Sequence, residues 1–207
     1  QLWEEVMTSK KEDLLTIFVM FLIGLVAIFG GVIFMNHKRE QGLYKHGFRL
    51  LEEQVGSYVI EHYSGVEKVE FSPIFIDTNG MFTAKVVPVI YDLHGNKAYL
   101  GRPVKGGRNG YKDYGLRDGL DLGSRSGSGE DTIWLEDFDK DKQYDVSEYR
   151  ELPDFAKLKS DETIDANINE IVEKGVLKDV KKDSKGSPKA SIIYNLKVKK
   201  GNHTKWR

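Results

Sequence analysis

The chain has 207 residues with 31 Lys and Arg against 32 Asp and Glu, and it contains no cysteine. A near-neutral chain of this kind lacks the broad basic field that nucleic-acid binding draws on. Without cysteine there can be no disulfide, thiol nucleophile, thiolate zinc site or iron–sulfur cluster.

Residues 1–13 read as a short tail ahead of an uninterrupted apolar run, Leu14 to Met35, broken only by Thr16, Ala27 and three glycines. At about 1.5 Å per residue this run extends roughly 33 Å, enough to cross a hydrocarbon core about 30 Å thick. It is also longer than the apolar stretch of a cleaved signal peptide, about 15 residues at most. The expectation is a transmembrane anchor over 14–35. Ala27 and Gly31, four residues apart, would allow a second helix to approach closely. Lys10 and Lys11 precede the span, while Lys38, Arg39 and Lys45 follow it. That balance leans weakly to a cytoplasmic domain, but long domains translocate largely regardless of such counts. A short tail, one span and a large domain form the layout of an uncleaved signal anchor, so residues 36–207 are expected outside the cell membrane.

Glu40 to His62 follows as an amphipathic helix. Leu43, Phe48, Leu51, Val55 and Val59 form its apolar stripe, and Arg49, Glu52, Glu53 and Glu61 its polar face. Gly42, Gly47 and Gly56 each cost about 1 kcal/mol relative to alanine, so this helix depends on tertiary packing. Val69, Phe71 and Phe75 then alternate with polar residues, Thr78-Asn79-Gly80 turns, and Met81 to Tyr91 returns as a second strand. A turn at His94-Gly95-Asn96 leads into a third strand, Lys97 to Pro103. Pro73 and Pro88 fall inside these patterns and should mark edges or breaks, since proline cannot donate to a ladder. A helix followed by a curled antiparallel meander is the order found in cystatin-like α+β folds.

Lys105 to Gly129 changes character, being rich in glycine with interspersed Arg and Lys and no sustained periodicity. It reads as a flexible loop, with anion binding as the alternative. Neither a Walker nor a dinucleotide-binding spacing occurs in it.

The sharpest local pattern is Asp137 to Glu148. Asp137, Asp139, Asp141, Asp145 and Glu148 stand at positions 1, 3, 5, 9 and 12, the side-chain ligand positions of a calcium loop. Lys142 stands where that loop wants glycine and Tyr144 where it takes an aliphatic residue, so a solvated acidic surface for a protein partner competes with a calcium site for the same five carboxylates. They belong to a wider block: Glu130 to Asp165 is strongly acidic, and Lys174 to Arg207 strongly basic. Such segregation suits a charged recognition surface. Between the two blocks Ile164, Ile168, Ile171 and Val172 mark a second amphipathic helix, capped by Asp161 or Thr163 and stopped by Gly175. Ala190, Ile192, Tyr194, Leu196 and Val198 alternate as a final strand, expected to be antiparallel and half exposed.

Nothing assembles a catalytic centre. His37, His46, His62, His94 and His203 are scattered, and neither HExxH nor GxSxG occurs. Catalytic residues and cofactors are therefore expected to be none, calcium apart. Anchor, helix over sheet, missing cysteines and acidic surface, from Leu14 to the Ile192–Val198 strand, resemble the TipC type of membrane-anchored immunity protein, which neutralises a toxin exported by type VII secretion in Gram-positive bacteria. The resemblance is one of layout and carries no site residue across. It implies an extracytoplasmic protein-binding module that inhibits a secreted toxin. An assembly factor of the envelope or secretion machinery and a calcium-responsive surface protein are the alternatives.

Overall fold

The computed structural model describes residues 20, 39–77, 83–101, 120–124, 130–201, 203 and 206. The predicted span with Ala27 and Gly31, the Thr78–Gly80 turn and most of the glycine-rich loop lie outside the described residues. Among the described residues no helix is long and apolar enough to cross a membrane. The chain divides into two compact units, Gln1–Gly42 and Leu43–Arg207. In the first, Met20 and residues 39–42 are helical; the second is an α+β unit.

Helix continues through residues 43–62, here α1. Phe48, Leu51, Val55 and Val59 are fully buried as their spacing predicts, and Leu50 and Tyr58 join them. The helix thus has little of a polar face: Glu52, placed there by the sequence pattern, is 0 % exposed. Two of its three glycines are sites of close approach. A Cβ on Gly47 would lie 2.5 Å from Leu122, and one on Gly56 2.9 Å from Ile192, whereas one on Gly42 would meet nothing within 4 Å among the described residues. Packing, which tolerates few voids, places glycine where a neighbouring side chain comes down onto the helix.

Among the described residues twelve short strands follow. β1 (Tyr63–Ser64), β2 (Val66–Phe71), β3 (Ile74–Asp77), β4 (Thr83–Lys85), β5 (Pro88–Asp92) and β6 (Lys97–Tyr99) come first. β7 (Leu120–Ser124), β8 (Asp131–Asp137) and β9 (Lys142–Asp145) form the middle group, and β10 (Lys181–Lys182), β11 (Ser191–Ile193) and β12 (Val198–Lys200) the last. β2 and β5 pair antiparallel, as do β3 and β4, so one long hairpin runs through both sheets. It is interrupted at Ser72-Pro73 on one strand and Val86-Val87 on the other. Ser72 holds the interruption together: its N–H donates to the Val87 carbonyl at 3.0 Å, and its Oγ accepts from the Val87 N–H at 2.8 Å. Both prolines sit where ladder bonds are dispensable, Pro73 in the break and Pro88 at the first position of β5.

The strand orders are β11-β2-β5-β6 and β12-β3-β4. The last strand departs from expectation twice. It is split into β11 and β12 around residues 194–197, and both halves pair in parallel, β11 with β2 and β12 with β3. Alternation reports which side chains are buried and carries no information on polarity. Direction is set by the connection, and here the chain returns to the sheet through a helix, which permits a parallel neighbour.

A third sheet has the order β7-β8-β9 and is antiparallel throughout. β7 falls inside the predicted loop. The Leu120-Asp121-Leu122 alternation identifies it in retrospect: Leu120 is fully buried, and both leucines lie against Gly47 of α1. α2 (Glu162–Glu173) starts and stops as its sequence signals predict. The Asp161 side chain accepts from the Ile164 N–H, and Gly175 closes the helix at φ +68°.

Candidate functional site

The acidic segment is built around the β8–β9 hairpin. Asp137 ends β8 and caps a single 3-10 turn, Phe138–Lys140, and Asp141 completes the reversal in the left-handed region at φ 51°. Asp137 is nearly fully buried and already neutralised. Its Oδ1 accepts from the Lys140 N–H at 3.2 Å, and its Oδ2 from the Lys140 ammonium at 2.5 Å. The same bond lifts the Lys140 pKa above its ordinary value.

The other predicted residues face different ways. Asp139 Oδ1 accepts from the Glu162 N–H at 3.2 Å, adding a second carboxylate to the start of α2. Asp145 Oδ1 accepts from both the N–H and the hydroxyl of Ser147, while Asp141 and Glu148 are exposed. The five carboxylates do not converge. Among the described residues no group of three or more His, Asp or Glu side chains could hold a metal ion. The backbone gives the reason: positions 6 to 9 of the supposed calcium loop, Lys142–Asp145, are the strand β9 rather than a coil wrapped about an ion. With Asp137 bound to Lys140, these residues do not fit the calcium reading as they stand.

Aromatic side chains beside the carboxylates were not singled out for binding by the sequence. Phe155 lies between two tyrosines, with ring centroids 5.5 Å from Tyr149, edge-on, and 5.9 Å from Tyr144. Phe155 is 49 % exposed, Tyr149 42 % and Phe138, at the hairpin tip, 56 %. An open cleft of about 410 Å³ lies at that tip, lined by Glu136, Asp137, Phe138, Asp141, Lys142 and Gln143. His46 Nε2 meets the Tyr149 carbonyl at 2.6 Å and so ties this surface to α1.

Three carboxylates elsewhere are held by bonds within the fold, Asp165 partly buried and Asp92 and Glu52 fully so. Asp165 on α2 accepts at Oδ1 from the hydroxyls of Tyr58, at 2.8 Å, and Tyr63, at 2.5 Å, and at Oδ2 from the Lys182 ammonium. Burial works to raise Asp165, but Lys182 and the two phenols outweigh it and hold the carboxyl below its usual range. Both phenols are pushed upward, chiefly by burial and then by Asp165, and stay protonated. The network joins α1, β1, α2 and β10 with both oxygens of Asp165 and both phenol hydroxyls bonded, which suits a tie rather than a reaction site. Next to it, burial pushes Asp161 up to about 6, against its bond to Ile164 N–H and helped by the charge of Asp139.

Asp92, fully buried, accepts from the backbone N–H of His94, Asn96 and Lys178 and from the Asn96 amide, at 2.7 to 2.9 Å. Glu52 is less well provided. Its Oε2 accepts from the Asn195 N–H at 3.0 Å, and its Oε1 finds no partner among the described residues. No protein-family model, curated protein or solved structure matches this chain.

Proposed function

We propose that this chain is a membrane-anchored, extracytoplasmic protein-binding module that neutralises an exported antibacterial toxin, in the manner of TipC-type immunity proteins. The observation that supports it most is the half-exposed aromatic group Tyr149–Phe155 set among the carboxylates of residues 136–155. Exposed Tyr and Phe are the residue types that anchor protein interfaces, and a rim of one charge sign steers a partner and fixes its orientation. The apolar run Leu14–Met35 supports the anchor, since an inhibitor held at the membrane meets the toxin where it acts.

The test is protection. Cells exporting the product of the gene beside this one should be killed without the chain and survive with it. Glu148→Lys combined with Glu151→Lys should abolish survival while leaving the amount of the protein in the membrane unchanged, because exposed charges contribute little to folding. Retained protection by that double variant would remove the acidic face from the mechanism. No protection by the parent chain would overturn the immunity reading in favour of an envelope or secretion assembly factor.

A further inference from the structure

We infer that the Tyr144–Phe155–Tyr149 group seats an arginine side chain from a basic segment of the protein partner. This deepens the protein-binding reading above and rests on it. The occupant follows from chemistry at the surface. Aromatic faces half open to water attract a cation through their ring quadrupole, and guanidinium, planar and weakly hydrated, stacks on them better than ammonium. The segment that bears the rings, residues 136–157, carries Glu136, Asp137, Asp139, Asp141, Asp145, Glu148, Glu151 and Asp154 against Lys140, Lys142, Arg150 and Lys157, a difference of 8 − 4 = 4 negative charges with the Asp154–Lys157 pair at 2.9 Å included. Lys140 is bound to the buried Asp137, so that pair cancels without changing the balance. An apolar or acidic partner would have to bring its surface into this field, whereas a basic one is drawn in. The same chain shows the contact it would make: Arg49 lies over the Tyr194 ring at 3.5 Å from its centroid, paired at the same time with Glu53 at 2.7 Å. At the proposed site Tyr149 or Phe155 takes the part of Tyr194, and Glu148 or Glu151 that of Glu53.

The experiment uses the full chain in a neutral detergent, with fluorescently labelled nona-arginine and nona-lysine peptides as probes. Nona-arginine should bind about threefold to fivefold more tightly than nona-lysine, the difference a cation–π contact supplies. Phe155→Leu, which keeps apolar bulk but removes the ring, should erase that preference, and Tyr149→Leu should reduce it. Glu148→Gln with Glu151→Gln should weaken both peptides equally and flatten the salt dependence. Equal binding of the two peptides by the parent chain, or a preference that survives both leucine variants, would overturn the arginine seat. A parent chain that binds neither peptide overturns it too. The protection assay separates this failure from that of the wider reading: protection that persists without arginine preference leaves the binding module standing with a different anchor.

Discussion

Glu52 should make the stability of this protein fall as pH rises through neutrality. The carboxyl is fully buried on α1, against the break between β11 and β12. Burial pushes its pKa from 4.5 to about 8, and the Asn195 N–H and the Arg49 guanidinium, which both favour the charged form, offset only part of that rise. Between those two values the folded chain holds a proton that the unfolded chain has released. Stability is therefore complete below the lower value and declines by about 1.4 kcal/mol per pH unit until the folded group itself ionises. From pH 6 to pH 8 the loss is on the order of 2 to 3 kcal/mol, a sizeable share of the 5 to 15 kcal/mol of a typical domain. Asp161, raised to about 6, acts in the same direction but below this window. Asp92 and Asp165 are lowered and act in the opposite sense, losing their contribution only as pH falls below about 4. The perturbation is Glu52→Gln, a neutral isostere whose carbonyl can still accept from Asn195. Urea unfolding of both forms at half-unit steps from pH 6 to 8.5 gives the difference in stability, which should move in favour of the variant by about 2 kcal/mol or more across that range. A difference that stays constant with pH would refute the reasoning, since it would mean that Glu52 ionises in the fold as freely as in water.

The glycines of the first helix should separate by their surroundings: Gly42→Ala, with nothing among the described residues within 4 Å of the new Cβ, should stabilise by up to about 1 kcal/mol, and Gly56→Ala should destabilise by about 1 to 2 kcal/mol because Ile192 must move. Equal shifts in urea midpoint for the two would show that helix propensity outweighs packing at Gly56. For the proposed topology, protease added to intact protoplasts should remove the chain beyond Met35; protection of that part with loss of residues 1–13 alone would place the domain in the cytoplasm.

Much of the α+β unit was determined by local sequence. Helix α2 needed only its isoleucine spacing, the Asp161 cap and the Gly175 stop, all of which act within one or two turns. The hairpins rested on period-two alternation and turn residues, again within reach of a few bonds. Three features lay beyond that reach. The parallel pairing of β11 and β12 depends on the path of the connection, and alternation is the same for either polarity. β7 is a strand because α1 offers Gly47 for Leu120 and Leu122 to pack on, a neighbour more than seventy residues away, while its own glycine-rich surroundings read as loop. The carboxylates of the acidic block carried the right intervals for an ion, but interval alone does not set direction. Lys140 folds back onto Asp137, β9 straightens the supposed loop, and Asp139 turns to the start of α2. Tertiary structure likewise decided Glu52, which is polar by residue type and buried by position, and it brought Tyr144, Tyr149 and Phe155 together on one surface. Short-range patterns fix what a segment can become. Which faces meet water and which side chains share a site is set by contacts between distant segments, and burial then decides the charge those side chains carry.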